Sequence, residues 1–364
     1  MNFEFNPAFT KNNIPIFFST DKNYAPYLSV AIKSVYLHRN INYNYDIIVL
    51  HTSIPEHTQN KIISSCLAEN FSIRFVNIEK YLNNDADKIK YTCLHFTVAM
   101  YYRIFISDIF TCYDKAIYLD CDLITQNDIG ELFKTDISNS VLGAILDFGS
   151  IQFNHFILKN YCKTILGIDN ETYFNSGVLL INCQKFRNEK IKDECLNILQ
   201  KIKTPRYPDQ DILNIACSKK VKYLPLKYNF EWHLLTNDKN YINTIPTKFH
   251  NDFLDAERNP VIIHYTGYKP WNFPTFKYAE IWWNYARQTP FYEEILLRMV
   301  QSNTITPNIN KEMVKHISNR FKYRLRYLKY KLLKPITFGK LHKKYKEKKK
   351  KYKQLLKQIK NYLK

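Results

Sequence analysis

Through the first half of the chain, short apolar runs alternate with stretches whose apolar residues recur at helical spacing. Ile14 to Phe18, Asp46 to Leu50 and Ile73 to Val76 read as strands, with Tyr27 to Leu37 and Thr58 to Leu67 as helices between them. Repeated β-α-β alternation restricts the fold to an α/β class, a mostly parallel sheet covered by helices on both faces. Such sheets bind ligands outside the carboxyl ends of their strands. Later strand candidates at Val141 to Leu146, Gly177 to Ile181, Val221 to Leu224 and Val261 to His264, with a helix near Asn188 to Gln200, continue the pattern. Asp21, just after the first strand, and Asp120, ending a later one, are therefore expected at one edge.

Residues 115 to 125 read KAIYLDCDLIT, an apolar run that stops at two aspartates one residue apart, Asp120 and Asp122. Residues i and i+2 of a strand share a face. If the extended conformation persists through Cys121, both carboxylates project together, an unfavourable pairing of like charges unless a cation bridges them. Oxygen ligation points to Mg²⁺ or Mn²⁺. An Asp-rich turn that merely ends a buried strand would be written the same way, so the motif needs support from elsewhere.

The chain has 7 glycines in 364 residues, and the closest pair, Gly143 and Gly149, is six positions apart. Walker loops and dinucleotide fingerprints need closely spaced glycines for backbone approach to phosphate. P-loop NTPases and dehydrogenases of the glycine-fingerprint type are thereby excluded, and a nucleotide diphosphate bound here would need a metal to neutralise it. A 45% hydrophobic content suffices for a substantial core. The eight cysteines include no C-x-x-C pair, which suits a reducing, cytoplasmic home. Neither a signal-peptide pattern at MNFEFNPAFTKNN nor a run of about 18 apolar residues is visible.

Of the net charge of +20, +19 lies in residues 311 to 364, leaving the body neutral. The polar stretch QSNTITPNIN at 301 to 310 reads as a linker, dividing a domain at 1–305 from a tail at 306–364. In RFKYRLRYLKYKLLK, residues 320 to 334, basic and aromatic residues interleave without a clean helical stripe. That mix suits the interface of an anionic bilayer. The tail is expected to be helical or partly disordered, and to hold the protein peripherally on the inner face of the cytoplasmic membrane. A specific nucleic-acid partner is not expected, because the charge is confined to the tail and no recognised binding module is present.

Three further segments place polar groups beside buried runs: YFNSGVLLIN at 173 to 182, YPDQDILN at 207 to 214 and IIHYTGYKPW at 262 to 271. His264 ends a strand in the last, and imidazole is an accepted Mn²⁺ ligand beside carboxylates. Taken alone, a histidine there is more often a hydrogen-bonded structural residue. In order, STDKNY, YYRIF, AIYLDCDLI, GAILDF, YFNSGVLLIN, PDQDILN and HYTGYKPW, spanning Ile14 to Trp271, resemble glycosyltransferase family 8. That family includes the lipopolysaccharide α-galactosyl- and α-glucosyltransferases and glycogenin.

The resemblance implies a Rossmann-like, nucleotide-sugar-binding mixed sheet of GT-A type. It implies that Asp120, Asp122 and His264 hold Mn²⁺, or Mg²⁺, on the diphosphate of a UDP-sugar, with Cys121 between the acids also in the nucleotide site. Asp21 and Asn23 match contacts to uracil and ribose. Gly267 and Lys269 match phosphate-binding positions, with one residue fewer between them than in some members. Arg103, Asp147, Asn175, Asp209 and Gln210 match positions that grip the hydroxyls of the donor sugar. The implied reaction is transfer of galactose or glucose, with retention of the α configuration, to a lipid-linked lipopolysaccharide or lipooligosaccharide core, with a protein or another cell-surface glycan as the alternative acceptor. The catalytic positions are Asp209, Gln210, Asp211 and Lys269. Gln210 occupies the place of a double-displacement nucleophile, for which an amide is poor, and this favours front-side displacement without a dedicated general base. DCDLI also resembles the D-x-D-x-T loop of haloacid-dehalogenase-type phosphatases, but position 124 is Ile and the motif lies far from the N-terminus.

Overall fold

In the computed structural model, residues 5–82, 85–89, 97–148, 158–202, 205–231, 242, 245–305 and 346–354 are described. The chain separates into two compact units, 1–296 and 297–364. The first contains a seven-stranded sheet in the order β3-β2-β1-β4-β7-β6-β8. Its strands are β1 (Asn13–Ser19), β2 (Asn44–His51), β3 (Phe71–Asn77), β4 (Lys115–Leu119), β6 (Leu142–Leu146), β7 (Phe174–Asn182) and β8 (Val221–Tyr223). A second sheet of three strands, ordered β5-β10-β9, is made of β5 (Leu123–Thr125), β9 (Phe230–Glu231) and β10 (Ile262–His264). The expected Val261 to His264 strand therefore belongs to the small sheet.

The expectation of a mostly parallel sheet holds with one reversal. β1 is parallel to β2 and β4, β2 to β3, and β6 to β8, whereas β7 runs antiparallel to both β4 and β6. Reversal brings the first residues of β7 to the carboxyl ends of its neighbours, where this class of sheet binds ligands. The β6–β7 register also breaks, Ala144 pairing with Leu179 but Ile145 with Asn175. Such an irregularity re-aims side chains, here around Asn175, Ser176 and Gly177.

Helix α1 (Ala25–Leu37) opens with Pro26, which is pre-set for a first turn. Asp21 Oδ1 accepts the backbone N–H groups of Asn23 (2.8 Å) and Tyr24 (3.0 Å), shaping the turn between β1 and α1. Almost all of α1 is buried, packed on β5 and on the helix Ala279–Ala286. The helix expected at Thr58 to Leu67 runs Glu56–Ile63. The one expected near Asn188 to Gln200 runs Ile191–Lys201, and Lys190, at φ +52°, separates it from a preceding short helix, Cys183–Asn188.

The described cysteines are free thiols, and all but Cys112 are buried. Among the described residues, no helix is long and apolar enough to cross a membrane. Residues 346–354 of the second unit are helical. The segment 320 to 334, with its expected membrane association, lies outside the described residues.

Candidate active site

β4 is the middle strand of the large sheet, apolar and buried after Lys115. It ends at Leu119, and the chain turns through Asp120, Cys121 and Asp122 before entering β5 of the small sheet. The extended conformation thus does not persist through Cys121. The carboxylates converge because the turn is pinned from both sheets: Asp120 N–H donates to Gly177 O (2.8 Å), and Tyr265 N–H donates to Asp122 O (2.9 Å). Antiparallel pairing of β5 with β10 sets His264 opposite Leu123, next to Asp122.

Ligand atoms of Asp120, Asp122 and His264 all lie within 4.8 Å of one another. His264 Nε2 is 3.1 Å from Asp122 Oδ1 and 3.9 Å from Asp120 Oδ2. Two carboxylates and an imidazole at this spacing fit a hard or borderline divalent cation. Gly177 makes the convergence possible. A Cβ there would fall on His264 Cε1 and lie 2.7 Å from Asp120 Oδ2.

Cationic side chains partly balance the acids. Arg103 sits in a 3₁₀ turn, Val98–Phe105, and is 6% exposed rather than on a helix surface. Its guanidinium donates to Asp120 Oδ1 (2.8 Å) and Ser176 O (2.6 Å), pairs with Asp209 Oδ2 (3.1 Å) and lies over the Tyr118 ring. Burial works against its charge, but the adjacent Asp120 and Asp209 outweigh burial and raise its pKa further. Tyr118 O–H adds a bond of 3.0 Å to Asp120 Oδ1. Lys269 Nζ donates to Asp122 Oδ2 and to Tyr265 O. Although burial alone would raise the Asp122 pKa, Lys269 and His264 hold this carboxyl well below the usual range.

These groups line a cleft of about 750 Å³. Of the residues expected from sequence, it gathers Asp21, Arg103, Asp120, Cys121, Asp122, Asp147, Asn175, Asp209, Gln210, His264, Gly267 and Lys269. Gly267 has φ +74°, a conformation that favours glycine. Cys121 is 5% exposed, and burial pushes its thiol pKa up. Gln210 is fixed at both ends: its Oε1 accepts Ser176 N–H (3.0 Å) and its Nε2 donates to Asp147 Oδ2 (2.7 Å). Asp209 Oδ2 accepts the Ser176 hydroxyl (2.9 Å), and burial raises the Asp209 pKa.

Two expected residues are not among those lining the cleft, Asn23 and Asp211. Asn23 is exposed in the turn before α1. Asp211 is fully buried in the first turn of the helix Pro208–Ala216. Its carboxylate accepts Tyr173 O–H (2.6 Å), Tyr161 O–H (2.5 Å), Arg206 N–H (2.8 Å) and Tyr207 N–H (3.0 Å). It braces the loop before that helix, since four donors leave it little capacity to reach into the cleft.

Sequence reasoning passed over Ser176, Asn229 and Glu231. Ser176 and Glu231 line the cleft, and Asn229 bonds His264 from behind at 2.8 Å. Ser176 could have been found from its place between Asn175 and Gly177, whereas no local pattern singles out Asn229 or Glu231.

A mixed sheet of this order, with an acid pair leaving its central strand into a small second sheet, has the GT-A architecture. The glycosyltransferase family 8 model matches residues 15–275, and the chain belongs to that family. A putative glycosyltransferase of Haemophilus influenzae is 34% identical over 216 residues, covering 59% of this chain and 62% of that protein. The lipopolysaccharide 1,2-glucosyltransferase of Escherichia coli K12 is 28% identical over 284 residues, covering 75% of this chain and 78% of the relative. Among solved structures, the apo form of the bifunctional glycosyltransferase WbbM superposes with a TM-score of 0.72 at 27% identity, covering 82% of this chain and 54% of WbbM. Galactosyltransferase LgtC, in complex with donor and acceptor sugar analogues, gives 0.63 at 26%, covering 76% and 96%. This chain thus spans less than two thirds of the Haemophilus relative and of WbbM.

Proposed function

We propose that the protein is a retaining α-hexosyltransferase that moves galactose or glucose from a UDP-sugar to a lipopolysaccharide or lipooligosaccharide core acceptor. The observation that carries this reading is the convergence of Asp120, Asp122 and His264 in one cleft with a cationic side chain and a wall of hydroxyl-binding groups. The names of the relatives, a lipopolysaccharide glucosyltransferase and a galactosyltransferase, support the choice of donors and acceptor.

Asp120, Asp122 and His264 would hold Mn²⁺. When bound, that ion neutralises the diphosphate and acts as Lewis acid for departing UDP. Lys269, on the loop that carries Gly267, brings a second positive charge to the side where negative charge develops on the leaving group. Asp21, in the turn after β1 and lining the cleft, would contact uracil and ribose. Arg103, Asp147, Asn175, Asp209 and Gln210 orient the hexose, because a site built to bond hydroxyls rejects a sugar that leaves those groups unpaired.

Double displacement finds little support in this arrangement. The Gln210 amide oxygen is engaged by Ser176 N–H, and the Asp211 carboxylate is enclosed by four donors outside the cleft wall. Front-side displacement agrees better. In that path the acceptor hydroxyl forms its bond to the anomeric carbon on the face that UDP leaves, and its proton passes to the departing phosphate oxygen. The basic tail is proposed to hold the enzyme on the inner face of the cytoplasmic membrane, beside a lipid-linked acceptor.

The first experiment is UDP release from a panel of UDP-hexoses, with Mn²⁺ or with EDTA. A Mn²⁺-dependent signal confined to UDP-galactose or UDP-glucose is expected. Absence of both turnover and UDP–Mn²⁺ binding would overturn the reading.

A further inference from the structure

A neutral imidazole carries one N–H, and only the other nitrogen can bind a cation. Which nitrogen of His264 is free depends on what faces its far side. There Nδ1 meets Asn229 Oδ1 at 2.8 Å, while Nε2 faces Asp122. An amide could receive or donate at that point by exchanging its oxygen and nitrogen, so Asn229 alone leaves the ring undetermined.

The polarity is set further along. Asn229 Nδ2 donates to Asn175 Oδ1 (2.9 Å), and the same oxygen accepts the backbone N–H of Gly177 (2.8 Å), a donor that cannot be reversed. Asn175 Nδ2 donates to Glu231 Oε1 (3.0 Å). Turning the Asn175 amide over would set its NH₂ against Gly177 N–H and its oxygen against Glu231. Asn229, Glu231, His264 and Asn175 are 1%, 2%, 2% and 6% exposed, so a mismatched link would leave buried polar atoms unpaired. Glu231 and His264 are also register partners on β9 and β10.

We propose that Asn229 is a positioning residue whose amide, oriented through Asn175 by Gly177 and Glu231, keeps a proton on His264 Nδ1 and so reserves Nε2, beside the two aspartates, as the nitrogen that ligates a cation. The inference rests on the reading of Asp120, Asp122 and His264 as a cation site. Partners behind a ligating histidine are generally worth 10–100-fold in metal affinity, and this one adds a choice of tautomer.

The test uses the full chain labelled with ¹⁵N-histidine, metal-free and with diamagnetic Mg²⁺, together with electron paramagnetic resonance titration of Mn²⁺. His264 of the wild type is expected to carry a proton on Nδ1 in both states. Asn229→Leu is expected to lose that preference and to bind Mn²⁺ roughly 10–100-fold more weakly. Asn229→Asp, which still offers the ring an acceptor, should keep the Nδ1 proton and lose less affinity. A deprotonated Nδ1 in the wild type, or equal Mn²⁺ affinity in Asn229→Leu and wild type, would overturn the proposal. If the wild type binds no Mn²⁺, the cation-site reading falls, and the proton position on His264 then decides for or against the relay by itself.

Discussion

Gly177 lies where β7 passes the acid pair, and a methyl group there would occupy the space of His264 Cε1. Its backbone is not in a left-handed conformation, so alanine would act through crowding alone. Gly177→Ala is expected to lower Mn²⁺-dependent UDP release at least tenfold while leaving the far-ultraviolet circular dichroism unchanged, which paired assays would check. Asp120→Ala and Asp122→Ala are expected to abolish the same activity; full activity in either would disprove the metal site. At this scale the sequence revealed Asp120, Asp122 and His264 because each stands at the end of an apolar run, where a polar side chain is conspicuous. Asn229 and Glu231 were hidden because their significance comes from partners far along the chain, Asn175 for both and His264 for Asn229. Asp211 does not line the cleft as its neighbours in the PDQDILN motif, Asp209 and Gln210, do, because successive residues of a helix point in different directions.

Among the elements, β1 and β2 were legible because each is a run of buried residues, and β3 because its apolar residues cluster although only Phe71 and Ile73 are buried. β5 was not, because it follows the acids within the same apolar run, nor was β9, whose two residues carry no periodicity. Direction is likewise absent from local sequence: nothing within YFNSGVLLIN announces that β7 runs against its neighbours, although that reversal delivers Asn175, Ser176 and Gly177 to the ligand edge. Packing between helices and sheet can be probed through the cysteines. Burial pushes the thiols of Cys162, Cys183 and Cys217 up to about 12, whereas Cys112 is exposed. In the native protein at pH 8, maleimide is expected to modify Cys112 within minutes and to spare those three, and peptide mapping would report the order.

For the whole molecule, the proposed function assigns the two charge regions different tasks. A neutral body holds the cleft, and residues 311 to 364 hold nearly all of the excess positive charge. Removing 311 to 364 is expected to spare turnover on a soluble acceptor analogue and to reduce cosedimentation with anionic vesicles; loss of both properties together would refute the division of labour.

Asp122 and His264 are 142 residues apart in sequence yet 3.1 Å apart in space, and the turn that carries Asp120 and Asp122 is also the seam between the two sheets. A divalent ion seated there would act as a reversible cross-link, closing a long loop that the unfolded chain cannot hold shut. Free energy of ion binding would then become resistance to unfolding, growing with ion concentration as RT ln(1 + [L]/Kd). Raising Mn²⁺ from its Kd to a hundredfold excess should lift the melting temperature of the wild type and leave that of Asp122→Ala unmoved. The ion proposed to ready a sugar for transfer would thereby clasp the two sheets together.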